Sequence, residues 1–211
     1  MKYGESLFDI FYLLLVIIIG IKILINNKNK QSKLMGLAIL ILGCGDAFHL
    51  IPRVLNYFIN NDLNLYLGIG KLVTSITMTI FYIIMYYIYI NNYKEKENKN
   101  ITYIIWFLSI IRIILCLFPQ NGWFMNESPY LWGIIRNIPF ALLGLVIVFL
   151  FYKKRSKDKE FKNIWLLVLL SFIFYFIVVL GAPYIKMLGM FMIPKTICYI
   201  LIVIDFYKKT K

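Results

Sequence analysis

Seven apolar runs, most of them twenty residues or more, take up nearly all of this 211-residue chain. About 20 apolar residues is the length an α-helix needs to cross the hydrocarbon of a bilayer. The runs lie at about 5–26, 33–58, 65–90, 101–118, 130–152, 163–182 and 185–207. Hydrophobic residues make up 61% of the chain, against about 45–50% in a soluble domain. The expected fold is therefore all-α: a polytopic membrane protein, one seven-helix transmembrane domain over residues 1–211, with no internal repeat and no separate soluble domain. The first run is too long for the h-region of a signal peptide and lacks a basic flank and a small-residue cleavage site, so it is expected to be a retained helix.

Charge sets the expected orientation. Lys28, Lys30 and Lys33 lie between runs one and two, and Lys94, Lys96 and Lys99 between three and four. Lys153, Lys154, Arg155, Lys157, Lys159 and Lys162 lie between five and six, and Lys208, Lys209 and Lys211 form the tail. The opposite side offers only Lys2 and Lys186. Basic loops stay in the cytoplasm, so the N-terminus is expected outside and the C-terminus inside. Most of the formal net charge of +13 then reads as this signature plus attraction to anionic membrane lipids. Nucleic-acid binding is not expected. Richness in Asn, Lys and Ile points to an AT-rich, bacterial genome, hence to a multi-pass protein of a bacterial plasma membrane.

Six basic residues fall inside the runs: Lys22, Arg53, Lys71, Arg112, Arg136 and Lys195. Lys22 is near a helix end and can snorkel. Each of the others costs about 2.5–3.5 kcal/mol or more at bilayer depth. Runs of opposite direction place them in the same outer half, which implies one shared cavity. Within "GCGDAFHLIPR" (43–53), Asp46, His49 and Arg53 fall within about 60° of one another on a helix. Lys71, Ser75, Met78 and Tyr82 form a similar stripe in run three. Gly43 and Gly45 allow close helix approach. Pro52, Pro139 and Pro194 stand beside charged or polar residues, Asn137 among them, and each frees a backbone carbonyl.

Several of these groups also have purely structural readings. Asp46 could pair with Arg53, Lys71 or Lys195, Arg53 could snorkel, and His49 could be a packing residue. Pairing alone does not balance the count, because the outer half holds only Asp9 and Asp46, with Glu5 at its edge. Spare cations imply a carboxylate, a phosphate or a lipid head group as ligand. The expected ligand-binding set is Asp46, His49, Arg53, Lys71, Arg112, Arg136, Asn137 and Lys195. No metal and no cofactor is expected: a single histidine with scattered acids does not make a zinc ligand set. Cys44, Cys116 and Cys198 show no CxxC and read as small apolar residues. "GIGK" (68–71) lacks the earlier glycine of a phosphate loop. The aromatic residues Trp106, Trp123, Trp132, Trp165, Tyr57, Tyr130 and Tyr184 read mostly as an interfacial belt.

The segment "GCGDAFHL" resembles the glycine–aspartate segment of bacterial lysoplasmalogenase-like membrane hydrolases, over about ten residues of a chain of similar length. That resemblance implies a lipid hydrolase using Asp46; a second aspartate in a late helix has no counterpart here, since Asp205 lies at the cytoplasmic end. Seven helices with Lys195 central in the last one are similar to microbial rhodopsins, which implies a retinal Schiff base at Lys195. Run three carries no carboxylate to serve as its counter-ion.

Three functions stay open at this point. One is a binding or transport protein with an outward-facing cationic cavity for an anionic small molecule or lipid head group. Another is an intramembrane hydrolase of outer-leaflet lipid, with Asp46 and His49 as acid and base. The third is a sensor or assembly partner without chemistry. Whether the protein is an enzyme is left undecided by the residues.

Overall fold

A computed structural model describes residues 2–59, 63–125 and 129–211. The chain forms α1 (Lys2–Asn26), α2 (Lys30–Phe58), α3 (Asn64–Tyr93), α4 (Lys99–Leu117), α5 (Tyr130–Ile135), α6 (Asn137–Lys154), α7 (Ile164–Gly181) and α8 (Met192–Lys209). Two 3-10 segments, Pro119–Asn121 and Lys186–Phe191, complete it, and there is no strand among the described residues. Seven helical stretches are long and apolar enough to cross a membrane. The protein is an all-α, multi-pass membrane bundle. The side chain of Lys2, which entered the orientation argument, lies outside the described residues.

Local chemistry accounts for the helix ends. Asn29 caps α2, its Oδ1 accepting from Ser32 N at 2.6 Å. Asn98 caps α4 through Asn100 N at 3.0 Å and Ile101 N at 3.4 Å. Each satisfies N–H groups that have no partner within the helix. Lys94 ends α3 in the left-handed conformation (φ 48°).

Runs five and seven are crossings over Tyr130–Lys154 and Lys186–Lys209, and each carries an irregularity that hydropathy does not reveal. The fifth crossing breaks at Arg136, between α5 and α6, and the seventh begins as the 3-10 segment before α8. Pro139 and Pro194 are each the third residue of the helix that follows. Proline has no N–H and clashes with the preceding turn, so it fits a first turn and not a helix interior. Its position sets where each helix can start.

The helices make a ring in which each crossing packs on the next and α8 returns to α1, with α3 also touching α6. α3 is the inner helix. Its second half, Phe81 to Tyr86, is buried on every side, as expected of a helix that is apolar all round. Close approach fixes the α1–α2–α3 layer. A Cβ on Gly43 would meet Val16 of α1 at 2.8 Å, and one on Gly45 would collide with Thr77 of α3. Thr74 Oγ1 donates to Gly45 O at 2.9 Å across the same contact. Pro52 removes the N–H that would bond Phe48 O, and that carbonyl packs directly against Gly70 of α3. The proline and the glycine together bring the outer halves of α2 and α3 close.

Candidate functional site: a polar cavity at the N-terminal end of the bundle

α2, running toward the N-terminal end of the bundle, presents Asp46, His49 and Arg53 on one stripe. All three line a cavity of about 500 Å3. α1 adds Glu5 and Asp9, and α3 adds Lys71, Thr74 and Ser75. Arg136 comes from the α5–α6 break, Tyr175 from α7, Lys186 from the 3-10 segment, and Lys195 and Thr196 from α8. Lys186 stands on non-α backbone, whereas Arg136, at the junction of α5 and α6, keeps helical dihedrals and donates its N–H to Trp132 O at 3.1 Å. Irregular backbone at membrane depth is tolerated where it lines a polar cavity.

Ion pairing inside the cavity is sparse. Arg53 pairs with Glu5, and Glu5 also accepts from Tyr57 Oη at 3.1 Å. Among the described residues no other cation of the lining has a carboxylate within 4.0 Å. Lys71 and Lys195 are unpaired, and so are the carboxylates Asp9 and Asp46. Asp46 was expected within direct or water-bridged reach of a basic side chain, Lys71 or Lys195. Among the described residues no cation lies within 4.0 Å of it; its Oδ2 accepts from Tyr12 Oη at 2.6 Å, and Lys195, near enough to act on Asp46 electrostatically, lies 5.2 Å from the Tyr175 ring and 5.7 Å from the Tyr199 ring. Of the four buried side-chain polar atoms without a hydrogen-bond partner among the described residues, two belong to residues of this lining, Asp9 Oδ2 and His49 Nδ1.

Arg136 is held in place without being neutralised. Its Nη1 donates to Asn121 Oδ1 at 2.9 Å, and its guanidinium lies 4.2 Å over the Trp123 ring. Trp123, read from sequence as a belt residue, is instead 7% exposed, with Nε1 donating to Cys116 O at 2.8 Å. Asn121 Nδ2 donates to Leu115 O at 2.7 Å and Phe118 O at 2.8 Å, closing the last turn of α4. The turn after α4 thus forms a built shelf beneath the Arg136 plane.

Arg112 and Asn137 do not reach the cavity lining, which corrects the expected site. Arg112 is 2% exposed. It donates to Thr79 Oγ1 at 3.1 Å, Arg136 O at 2.7 Å and Asn137 Oδ1 at 2.9 Å, and sits 3.8 Å from the Phe140 centroid. Neutral oxygens and a ring face offset its desolvation. Tyr175 Oη also donates to Asn137 Oδ1, at 2.9 Å, and Asn137 Nδ2 donates to Gly133 O at 2.8 Å. Arg112 therefore bolts the broken fifth crossing to α3 and α4, because it takes up the carbonyl of the break itself.

Of the sequence stripe Lys71–Ser75–Met78–Tyr82, the first two residues line the cavity and the last two lie beneath it. Tyr82 Oη and Tyr199 Oη meet at 3.0 Å, and the Phe140 and Phe172 rings stand 5.4 Å from Tyr82. This aromatic layer lies two turns along α3 from Ser75 and is not part of the cavity lining.

Lys186, Asp9, Tyr12, Trp123 and Tyr175 complete the site beyond the expected set. Comparison with protein-family models, with curated proteins and with solved structures finds no match, so the functional reading rests on this geometry alone.

Proposed function

We propose that this is a plasma-membrane protein that binds an anionic small molecule or lipid head group in a cavity open to the outside. The observation that carries the reading is the pairing deficit. Five cations (Arg53, Lys71, Arg136, Lys186, Lys195) share one lining, and among the described residues only Arg53 is ion-paired. Arg136 and Lys195 are half-buried and Lys71 and Lys186 exposed, and an anion in the cavity gives such groups charge-assisted hydrogen bonds. Arg136, held flat on Trp123 with its remaining N–H groups free of carboxylates, suits a planar or tetrahedral oxyanion. The outward orientation follows from the lysine-rich loops at the opposite end. The buried aromatic layer further along α3 favours binding over passage.

The test is thermal unfolding of the purified protein in detergent with inorganic phosphate, acetate and anionic phospholipid. A ligand at about 100 times its Kd adds about 2.7 kcal/mol, so at least one of these anions should raise Tm by several degrees. Arg136→Gln should abolish the rise. No stabilisation by any of them would overturn the reading.

The second reading is hydrolysis of outer-leaflet lipid, with Asp46 and His49 as the acid–base pair. It is favoured by a carboxylate–phenol pair and an imidazole in the same lining as unpaired cations. Release of product from a lysophospholipid incubated with the protein, lost in Asp46→Asn, would place it first; the absence of turnover would remove it.

A further inference from the structure

We propose that the cavity takes a zwitterion, a group carrying a protonated amine and, a short spacer away, a phosphate or carboxylate. This rests on the anion-binding reading above and adds a second pole to it. Unpaired charge in the lining is segregated by element. The unpaired carboxylates come from α1 (Asp9) and α2 (Asp46), and the unpaired cations from α3 (Lys71), the α5–α6 break (Arg136), the 3-10 segment (Lys186) and α8 (Lys195).

A cavity built for an anion alone has no use for two carboxylates, which weaken anion binding wherever they point. A cavity built for stability alone would pair them with the lysines it already contains. Neither has happened. Asp9 is 6% exposed, and its Oδ2 has no partner. A buried carboxylate is costly unless it is paired. A ligand amine relieves that cost while its anionic end meets the half-buried Arg136 and Lys195.

An ammonium suits this wall. That group has three N–H donors and no acceptor, and the wall offers the carboxylate of Asp46 beyond its single bond from Tyr12, with Asp9 and His49 in the same lining. Tyr12 is 0% exposed and hydrogen-bonded, so it fixes Asp46 rather than competing for the ligand. At the other pole, Arg136 has its plane set by Trp123 and takes the anionic end. The same chemistry is available from a free solute and from the head group of an amine-bearing phospholipid.

The experiment compares matched probes on the unmodified protein in detergent, by calorimetry and thermal shift. Phosphoethanolamine is set against glycerol phosphate, and β-alanine against propionate. In a lipid arm, nanodiscs holding equal phosphatidylethanolamine and phosphatidylglycerol are followed by native mass spectrometry for the lipid retained. The zwitterion of a pair should bind about tenfold tighter than its amine-free partner, and Asp9→Asn should bring the two within about twofold. Preference among the free probes identifies a solute; preference in the nanodiscs alone identifies a head group; either supports the proposal. Equal binding of glycerol phosphate and phosphoethanolamine, with equal lipid retention, overturns it and leaves the anion reading standing. No binding by any probe or lipid overturns both. The comparison of probes needs no substitution, so it holds even if Asp9→Asn fails to fold.

Discussion

The two ends of the bundle handle charge in opposite ways. At the lysine-rich end, carboxylates on the connecting segments are matched to cations from neighbouring helices. Lys154 pairs with Glu95. Lys209 Nζ reaches Asp158 Oδ2 at 2.7 Å, and Asn92 Nδ2 donates to the same oxygen at 2.8 Å. Asp158 Oδ1 accepts from Glu160 N at 3.1 Å and Phe161 N at 3.4 Å. One aspartate thus ties the end of α3, the α6–α7 connection and the end of α8. At the cavity end, by contrast, cations and carboxylates share one lining and remain mostly apart. Charges that hold a structure together are satisfied by the structure. Charges left unsatisfied at a cost mark where something else binds. Arg112 is the boundary case: it lies behind the cavity and is fully engaged by neutral groups.

The comparison can be broken most severely at Arg112. Arg112→Ala leaves the Arg136 carbonyl without its donor, takes one of two donors from Asn137 Oδ1, which Tyr175 still holds, and removes the bond into Thr79 Oγ1, each unsatisfied buried group costing about 1–3 kcal/mol. We expect the largest loss of Tm of any substitution considered, about 3–5 kcal/mol in all if part of the deficit is relieved by relaxation, or no monodisperse protein in detergent. A Tm near wild type would mean that the cation does not brace the broken crossing.

Asp158 comes next. Hydrogen bonds to charged groups contribute about 1.5–3 kcal/mol, and Asp158→Asn should lower stability by a figure in that range in chemical or thermal unfolding. Burial alone raises the Asp158 carboxyl, but the hydrogen bonds from Lys209 and Asn92 outweigh it and hold the group below the ordinary carboxylate range. A depressed folded pKa stabilises above the unfolded value, near 3.8, and that contribution is lost as pH falls through the folded value. The wild type should therefore lose stability relative to Asp158→Asn only on acidification below about pH 4, and the gap between them should be constant from pH 5 to 7. A gap that closes between pH 5 and 7 would contradict this.

The cavity end should respond in the opposite sense. Without ligand, Lys195→Met removes an unpaired charge, so Tm should stay level or rise by an amount worth about 1 kcal/mol or less, the size of a single cation–π contact. A clear fall would show that Lys195 is held by a structural pair after all. The smallest effect is expected at Glu95. Its partner Lys154 and the nearby Lys157 and Lys153 hold the carboxyl below its ordinary range, yet such an exposed pair is screened by water and salt. Glu95→Gln should leave Tm unchanged at physiological ionic strength, and a measurable drop would assign this pair a structural role like that of Asp158.

Much of this was legible in the chain. Seven apolar runs dictate seven crossings, because hydrocarbon leaves a spanning backbone no partner but itself. The spacing of Asp46, His49 and Arg53 puts them on one stripe, because a helix turns 100° per residue whatever surrounds it. The expected close approach at Gly43 and Gly45 is likewise a matter of missing side-chain volume. What the periodicity could not supply is the rotation of each helix and the neighbour each face meets. Arg112 and Arg136 look alike in sequence, each a lone arginine in an apolar run, yet one turns inward to Asn137 and Thr79 and the other onto Trp123 and the cavity. Trp123 and Lys186 sit outside regular α-helix, where no period applies, and joined the site only through the break at Arg136 and the 3-10 start of the last crossing. Pro139 and Pro194 were the local signals of those irregularities, since proline can open a helix and not continue one. Tyr12 and Asp46 are 34 residues apart, and only the packing of α1 on α2 brings the phenol to that carboxylate. The sequence alone thus determined the number of crossings and the composition of each face, which follow from local geometry and the solvent. Which charges are satisfied and which are left waiting was decided by tertiary contacts between helices distant in the chain.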